Sequence, residues 1–271
     1  MTSIAKIARG ALATTRLAFG TSRLHYLRRG DGQRLLATAA DIGIKHFDTA
    51  PVYGDGLAER EVGRFIRERR SNVVIATKYG IPPDRLIAGI PMLGPPLRTV
   101  RALARRMGYW NSERPVMTAQ GLRASTEESL QRLRTDWIDL LLLHEPALDR
   151  IVSPETILTE LLDLRRRGLI RHFGLAGPWA ALSRLIAAAP DLAEVVQTGE
   201  TEWPADRPPD ITYGALVQGP QSAFRKTVDS EIVLERLRVA LARRPQGVVL
   251  ISTTSTQHLR EIAAIAAGKP Q

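Results

Sequence analysis

Residues 43–80 read GIKHFDTAPVYGDGLAEREVGRFIRERRSNVVIATKYG. Two short apolar runs rich in β-branched residues, at 44–49 and 73–77, have the composition of buried strands. Between them, residues 58–70 have the Glu and Arg content of a helix, with apolar side chains along one side. Strand, helix, strand is the repeating unit of a parallel sheet, so this stretch predicts an α/β fold.

Three polar side chains stand where these two strands end. Asp48 and Lys78 lie at or just past the end of an apolar run, and Tyr53 follows Asp48 in a loop. The active face of a parallel barrel lies at the carboxyl ends of its strands. We therefore expect all three side chains to lie together in the opening at that end of the barrel, which we call the mouth. There the ammonium group would stabilise the phenolate and lower the pKa of Tyr53, while the carboxylate holds the ammonium in place. Each residue also has a structural explanation: Asp48 as a turn cap, Tyr53 as loop packing and Lys78 as a lysine reaching water.

The composition fits one large α/β domain. With 271 residues and 44% hydrophobic content, the chain suits a single barrel of roughly 250 residues, and we expect one domain over residues 1–271. The absence of cysteine excludes disulfides, thiolate nucleophiles and cysteine-bound metals, and no metal site is predicted. No apolar run reaches the roughly 18 residues of a membrane span, and the first residues do not resemble a secretory leader. We therefore expect a cytoplasmic protein with no membrane partner.

The net charge of +10 raises the question of nucleic-acid binding. The arginines are scattered in short clusters through the chain and form no single stripe, and no aromatic side chains are interleaved with them. We expect no nucleic-acid partner. The positive field would instead attract anionic ligands, including phosphorylated cofactors.

Further elements extend the same pattern on both sides of this stretch. Residues 16–20 predict a first strand, and Gly20, Thr21 and Ser22 form a loop whose small side chains can approach a ligand closely. Residues 33–43 and 122–134 predict helices, and 137–143 a buried strand that ends at His144. His144 is either a satisfied strand-end histidine or an imidazole donor in the same mouth.

Residues 80–121 break the pattern with six prolines, and only 97–107 could form a short helix there. A connection of this length in a compact domain is functional or argues against the assignment. Because it leaves from the Lys78 end, we interpret it as a lid or wall over the site. Tyr79, Tyr109 and Trp110 would contact substrate or pack the loop on the barrel.

The second half predicts helices at 155–168, 179–189 and 230–244, and strands at 170–175, 193–198, 213–217 and 247–251. Between the sixth and seventh strands a short, proline-containing segment leaves no room for a full crossover helix, so the sixth helix should be reduced or missing. Residues 252–256 form a hydroxyl-rich loop before the last helix. This loop would bind a phosphate, or its Thr254 or Ser255 would simply cap the helix.

Residues 43–63, 73–80 (VVIATKYG) and 129–146 (SLQRLRTDWIDLLLLHEP) resemble the aldo-keto reductases, in the family's order. The resemblance covers roughly residues 14–266 and implies a TIM (β/α)8 barrel that reduces an aldehyde or ketone, or oxidises an alcohol, with NAD(P)H. By this resemblance Tyr53 is the general acid, Lys78 and Asp48 lower its pKa, and His144 is the second donor to the carbonyl oxygen. The expected substrate is a small carbonyl or alcohol compound, and the expected state is a monomer or small homo-oligomer.

The cofactor implied is NADPH, with NADH possible. The positive field and the hydroxyl-rich eighth loop favour the phosphorylated form. Gln197 matches the family's carboxamide-binding glutamine, and His258 and Glu261 match positions around the adenosine. The predicted cofactor-binding set is Gly20, Thr21, Ser22, Asp48, Gln197, Gln218, Ser252, Thr253, Thr254, His258 and Glu261.

Four positions depart from the family pattern. Ala176 and Gly177 replace a Ser-Asn pair, Gln218 stands where a stacking tyrosine is common, and Ile262 replaces an adenine-binding asparagine. These departures support an alternative: an aldo-keto-reductase-like barrel with altered or lost cofactor binding, acting as a binding or regulatory protein or as a non-redox enzyme.

Overall fold

The protein is described here from a computed structural model, covering residues 3–84, 115–216 and 230–266. Eight parallel strands pair in one continuous ring, in which the last strand joins the first. The predicted TIM barrel is confirmed. The ring consists of β3 (Leu17–Gly20), β4 (His46–Asp48), β5 (Val74–Tyr79), β6 (Ile138–His144), β7 (Ile170–Ala176), β8 (Val195–Gly199), β9 (Ile211–Tyr213) and β10 (Val248–Ile251).

A hairpin that the sequence analysis did not predict precedes the barrel. It consists of the antiparallel strands β1 (Ile4–Ile7) and β2 (Leu12–Thr15). Ala5 and Ile7 join the cluster of apolar side chains inside the barrel. The other members from β3, β8, β9 and β10 lie near the starts of those strands, so the hairpin closes the amino-terminal end of the barrel, opposite the mouth.

Seven α-helices in the described residues surround the strands: α1 (Arg29–Asp41), α2 (Leu57–Phe65), α3 (Ala119–Leu133), α4 (Pro154–Arg166), α5 (Trp179–Ala188), α6 (Ser230–Arg243) and α7 (Thr256–Ala266). Their starts carry recognisable signals. Thr118 accepts a hydrogen bond from the backbone of Gly121 at the start of α3, and Ser153 does the same for Thr156 ahead of Pro154. The predicted second helix was too long, because after Phe65 the chain continues as two short 3-10 turns.

The connection between β8 and β9 contains no helix, which confirms the prediction that the sixth helix is reduced or missing. Trp203 packs in its place and is only 8% exposed. Its ring lies beneath the guanidinium groups of Arg243, at 4.6 Å, and Arg244, at 5.9 Å. A tryptophan flanked by arginines therefore covers this side of the barrel.

The seventh strand lies earlier than predicted. It spans Ile211–Tyr213 and not residues 213–217. Gly214 follows it with a φ of +82°, a left-handed conformation that ends the strand. The residue at the carboxyl end of this strand is therefore Tyr213.

The predicted 80–121 excursion ends where α3 begins at Ala119. The Tyr79 hydroxyl donates to the backbone oxygen of Thr118 (3.1 Å) and accepts from its N–H (3.0 Å), which ties the returning chain to β5. This geometry assigns Tyr79 to packing. The predicted helix at 97–107, Tyr109 and Trp110 lie outside the described residues.

Side chains of the barrel strands alternate between the inside and the surrounding helices. Ala18 belongs to the inner cluster, whereas Leu17 and Phe19 belong to the outer one. The same alternation applies to β4, β6, β8 and β9. In each of these strands, the inward-facing residue closest to the carboxyl end lies at the mouth. None of the described helices is long and apolar enough to cross a membrane.

Candidate active site

A buried ion pair forms the floor of the mouth. Lys78 Nζ lies 2.5 Å from Asp48 Oδ1, and their side chains are 3% and 1% exposed. Lys78 also donates to the backbone oxygen of Thr49 at 2.9 Å. The other carboxylate oxygen of Asp48 accepts from Gln197 Nε2 at 3.0 Å. Residues from β4, β5 and β8 thus fix one another's side chains.

Tyr53 reaches this pair from the turn after β4. Its backbone N–H donates to Ala50 O at 3.0 Å. Gly54 follows with a φ of +60° and packs so closely on His25 that a side chain there would collide with the imidazole. A larger residue at position 54 would therefore disturb the turn that presents the phenol ring to the mouth.

Lys78 and His144 both face Tyr53. Lys78 Nζ lies 5.0 Å from the centre of the Tyr53 ring and forms a hydrogen bond with its side chain. The ring centroid of His144 lies 6.1 Å from that of Tyr53, with the two planes at 89°. The structure thus brings together the four predicted catalytic residues: Asp48, Tyr53, Lys78 and His144.

The net shift of the tyrosine pKa differs from the prediction. Burial raises the pKa of Tyr53 above its ordinary value of 10.0, and this effect outweighs the lowering by Lys78. The prediction identified the influence of Lys78 and missed the larger cost of removing a phenolate from water. Tyr53 is accordingly protonated at neutral pH, the state in which a phenol can donate a proton.

Lys78 stays charged in spite of its burial. Burial acts to lower the pKa of Lys78, but Asp48 and Tyr53 together raise it above the ordinary value of 10.5. A fixed positive charge therefore faces the phenol oxygen.

The three predicted cofactor residues after the first strand differ in their contacts and exposure. Gly20 lies against the hydroxyl of Ser252, which a side chain at position 20 would displace. Ser22 is partly exposed. Thr21 is fully buried, and its hydroxyl donates to Asp48 O at 3.0 Å. Contrary to expectation, Thr21 therefore has no exposed surface for a ligand. Its hydroxyl instead bonds to the backbone of the strand that carries Asp48.

The hydroxyl-rich loop after β10 remains accessible. Ser252 and Thr253 are partly exposed, and Thr254 is exposed. Ser255 accepts from the backbone N–H of His258 at 3.3 Å, so the capping alternative is realised.

On α7 the predicted adenosine contacts differ in accessibility. His258 is exposed, and Glu261 is partly exposed and accepts from Gln257 at 3.0 Å. Ile262 is 3% exposed and packs in the outer core. A residue in that position supports the barrel and contributes no polar contact to an adenine.

Two residues near the mouth were missed by the sequence analysis. Tyr213 ends β9, and burial, Glu202, Glu145 and Tyr53 all raise its pKa. Glu145 directly follows His144, and its charge acts on both Tyr53 and Tyr213. A correct end for the seventh strand would have identified Tyr213. Gln218, predicted at the mouth, lies outside the described residues.

The chemistry of the rim suits a phosphorylated cofactor. Glycines end three barrel strands, where an added Cβ would lie 2.4 Å from Ser252 Oγ (Gly20), 3.0 Å from Glu145 Cα (Gly177) and 2.4 Å from Glu202 Oε1 (Gly199). At the rim, the hydroxyl groups of residues 252–254 precede the amino terminus of α7, a combination that suits a phosphate. Within the described residues, no group of three or more His, Asp or Glu side chains could hold a metal ion.

The fold and the site define a TIM barrel that carries a phenol, an ammonium, a carboxylate and an imidazole at its carboxyl end. The sequence model of the Aldo/keto reductase family matches residues 16–197, most of the chain. The protein belongs to the aldo-keto reductase family.

Curated relatives share about a third of their aligned residues with this chain. A D-threo-aldose 1-dehydrogenase from Pseudomonas sp is 31% identical over 203 residues, which are 71% of this chain and 59% of the relative. A pyridoxal 4-dehydrogenase from Microbacterium luteolum is 32% identical over 183 residues, 62% of this chain and 54% of the relative. The match thus spans little more than half the length of these relatives.

Solved structures support the same fold. An aldo-keto reductase from Klebsiella pneumoniae in complex with NADPH has a TM-score of 0.71 at 19% identity, covering 100% of this chain and 92% of that one. An aldo-keto reductase from Bacillus halodurans in its holo form also has a TM-score of 0.71, at 16% identity, covering 100% and 93%. At these identities the likeness concerns the barrel alone.

Proposed function

We propose that this protein is an NAD(P)H-dependent carbonyl reductase or alcohol dehydrogenase of aldo-keto reductase type. The observation that carries the proposal is the convergence of Tyr53 with Lys78 and His144 in one mouth, with Lys78 held by Asp48. Its natural substrate would be a small carbonyl or alcohol compound. A cytoplasmic location and a monomeric or small homo-oligomeric state stay predictions.

Tyr53 would act as general acid. Its raised pKa keeps the proton on the phenol until negative charge develops on the carbonyl oxygen. Lys78, fixed by Asp48, then stabilises the phenolate that remains, without any reorganisation of charge. His144 would give the second hydrogen bond to the carbonyl oxygen.

A bound reduced nicotinamide would supply the hydride to the carbonyl carbon. The residues that would hold the cofactor are those at the rim, Ser252, Thr253 and Thr254 with His258 and Glu261. Gly20 and Gln197 are buried beneath the mouth, and the amide group of Gln197 donates to Asp48, so these two would support the floor under the nicotinamide. NADPH is preferred because the chain carries a charge of +10 and the rim is rich in hydroxyls.

Cofactor titration tests this proposal. We expect NADPH to bind with a dissociation constant in the micromolar range, more tightly than NADH, and the bound cofactor to be oxidised when aldehydes, ketones or sugars are added. Fluorescence of the reduced nicotinamide reports binding, and absorbance reports its oxidation. Absence of both signals at millimolar cofactor would reject the assignment.

A second candidate is a barrel that has lost tight nicotinamide binding and serves as a binding or regulatory protein, or runs a non-redox reaction. The observation that favours it is the burial of Ile262, which removes a polar contact to the adenine, together with Ala176 and Gly177 at the end of the fifth barrel strand. Folded protein that binds carbonyl ligands but neither cofactor would support this alternative.

A further inference from the structure

A carboxylate outside the mouth is completely buried between three elements of the fold. Glu59 lies in the first turn of α2 and is 0% exposed. Its Oε1 accepts a hydrogen bond from the Thr77 hydroxyl at 2.7 Å, and its Oε2 accepts one from Arg132 Nε at 2.5 Å. Thr77 belongs to β5 and Arg132 to α3. Glu59 thus joins α2 to both of these elements through its two oxygens.

The bond to Thr77 acts on the strand that carries Lys78. Side chains alternate along β5, where Ala76 belongs to the inner cluster and Lys78 extends to the mouth. Thr77, between them, faces outward toward α2. Its hydrogen bond to Glu59 therefore holds the backbone of β5 against α2 at the residue directly before Lys78.

The same carboxylate supports the turn that carries Tyr53. The residue before it, Ala58, donates its backbone N–H to Tyr53 O at 3.2 Å. Its partner Arg132 packs against Gly56 in this turn, because a Cβ added at Gly56 would lie 2.9 Å from Arg132 Cδ. The φ of Gly56 is +85°, a left-handed conformation that favours glycine. The turn therefore rests on α2 and on the side chain of Arg132.

Loss of the Glu59 charge would disturb both contacts. The Arg132 side chain is only 11% exposed, and a buried charge without its partner is costly. Arg132 would therefore turn toward Glu128, which is 47% exposed and lies 3.2 Å from it, and the turn at Gly56 would lose its support. The N–H donor that replaces the carboxylate in a glutamine would add to this effect. Loss of the acceptor for Thr77 would in addition loosen β5 from α2.

We propose that Glu59 is a positioning residue for proton transfer, which holds Tyr53 at the distance from Lys78 that the reaction requires. The inference rests on the proposed carbonyl reductase function. In that reaction the carbonyl carbon accepts hydride from the reduced nicotinamide, the O–H bond of Tyr53 breaks, and its proton bonds to the carbonyl oxygen. A phenolate then remains beside Lys78. A displacement of about 1 Å at such a group can lower the rate on the order of 10²-fold.

Glu59→Gln tests the proposal, since the amide keeps an oxygen for Thr77 but presents an N–H to Arg132. We expect kcat/KM for an aldehyde to fall on the order of tenfold to a hundredfold, and the dissociation constant of NADPH to stay within about twofold. The solvent isotope effect, which is the ratio of kcat/KM in H2O to that in D2O, should rise, because the proton transfer from Tyr53 becomes slower relative to the other steps.

The matched control is Glu160→Gln. Glu160 is also buried, at 6% exposed, and accepts hydrogen bonds from Arg123 at 2.8 and 2.6 Å, which join α4 to α3. This variant should lose stability but keep kcat/KM per folded protein and the isotope effect. An unchanged kcat/KM in Glu59→Gln, a fall without a rise in the isotope effect, or an equal rise in Glu160→Gln would overturn the proposal.

A second pair of variants serves if Glu59→Gln does not fold. Thr77→Val keeps the shape of the side chain and the ion pair of Glu59 with Arg132, but it offers Glu59 no hydroxyl. The same rise in the isotope effect is expected. Thr77→Ser, which keeps a hydroxyl, should retain the activity of the unmodified protein, and equal isotope effects in the two variants would contradict the proposal.

Crystal structures supply a readout that does not depend on turnover. The distance between Tyr53 Oη and Lys78 Nζ should be longer in Glu59→Gln, or in Thr77→Val, than in the unmodified protein, by roughly 0.5 Å or more. An equal distance would overturn the positioning role. If the unmodified protein reduces no aldehyde, the proposed function itself has failed.

Discussion

At the scale of single residues, the arrangement depends on a buried ion pair. Removing a lysine and an aspartate from water is costly, and their mutual attraction repays this only when the geometry is good and the remaining polar atoms are bonded. Here Asp48 uses both oxygens and Lys78 has a second acceptor in Thr49. We interpret the pair as retained for the charge that it presents to Tyr53.

Lys78→Met should lower the free energy of unfolding by about 3–5 kcal/mol, because it leaves the Asp48 carboxylate buried without its partner. Chemical denaturation measures this loss. The double variant Asp48→Leu/Lys78→Met is the control, since it buries no unpaired charge and should recover much of the stability. A double variant no more stable than Lys78→Met would contradict the assignment of the loss to the ion pair.

The candidate site residues differ in how well the sequence predicts them. Asp48, Lys78 and His144 end strongly apolar strands, so their convergence follows from the parallel barrel. The direction of the pKa shift of Tyr53 could not be predicted, because the sequence shows the nearby charge and not the extent of burial. Glu145 was missed because its place over Gly177 depends on the pairing of β6 with β7.

At the scale of elements, α2 and α3 are packed through a glycine. A Cβ added at Gly63 would lie 2.6 Å from Leu133 O, a backbone atom at the end of α3. The absence of a side chain at Gly63 therefore allows the close approach of the two helices. Of these, α2 follows the turn that carries Tyr53. Backbone atoms cannot move aside as a flexible side chain can.

Gly63→Ala should destabilise the fold by roughly 1–3 kcal/mol through overpacking against α3. Gly32→Ala in α1 is the matched control, because its new methyl group would meet only Leu24, at 3.9 Å. That change should stabilise the protein by about 0.5–1 kcal/mol, as alanine favours the helix. Thermal unfolding of the two variants distinguishes them, and equal shifts of the two would contradict the close-packing argument.

The elements themselves follow from the sequence where apolar periodicity is strong. The long strand β6 and the capped helices α3 and α4 lie within a few residues of their predicted positions. The N-terminal hairpin was missed because its turn places Ala8 and Arg9 at φ values of +54°, without the Asn-Gly type of signal that predicts such turns. The seventh strand was placed too late because Ile211–Tyr213 is only three residues long.

At the scale of the whole molecule, the barrel interior contains a histidine below the site. His46 is fully buried, and neither ring nitrogen has a hydrogen-bond partner within the described residues. Burial lowers the pKa of His46 from 6.5 to about 4, although Asp48 and Asp139 act to raise it. The barrel is therefore built around a neutral imidazole.

The stability of the fold should fall as the pH drops from about 6.5 to about 4. In this window His46 becomes protonated in the unfolded chain but stays neutral in the folded chain, so acid favours unfolding. At the lower limit the free energy of unfolding should be reduced by about 3 kcal/mol. Urea denaturation at several pH values measures the slope. His46→Leu should flatten the part of the slope that this residue contributes, and an unaltered pH profile would contradict the burial of a neutral ring.

The most direct test of the central claim is the turnover of Tyr53→Phe with NADPH and an aldehyde that the unmodified protein reduces. We predict that kcat/KM falls on the order of 10²–10⁴-fold, because the phenol supplies the proton, while the dissociation constant of NADPH changes by less than about twofold. Tyr26→Phe, which removes a hydroxyl from a tyrosine that is 70% exposed, should keep full activity. Tyr53→Phe that retains most of its activity would contradict the account of the site.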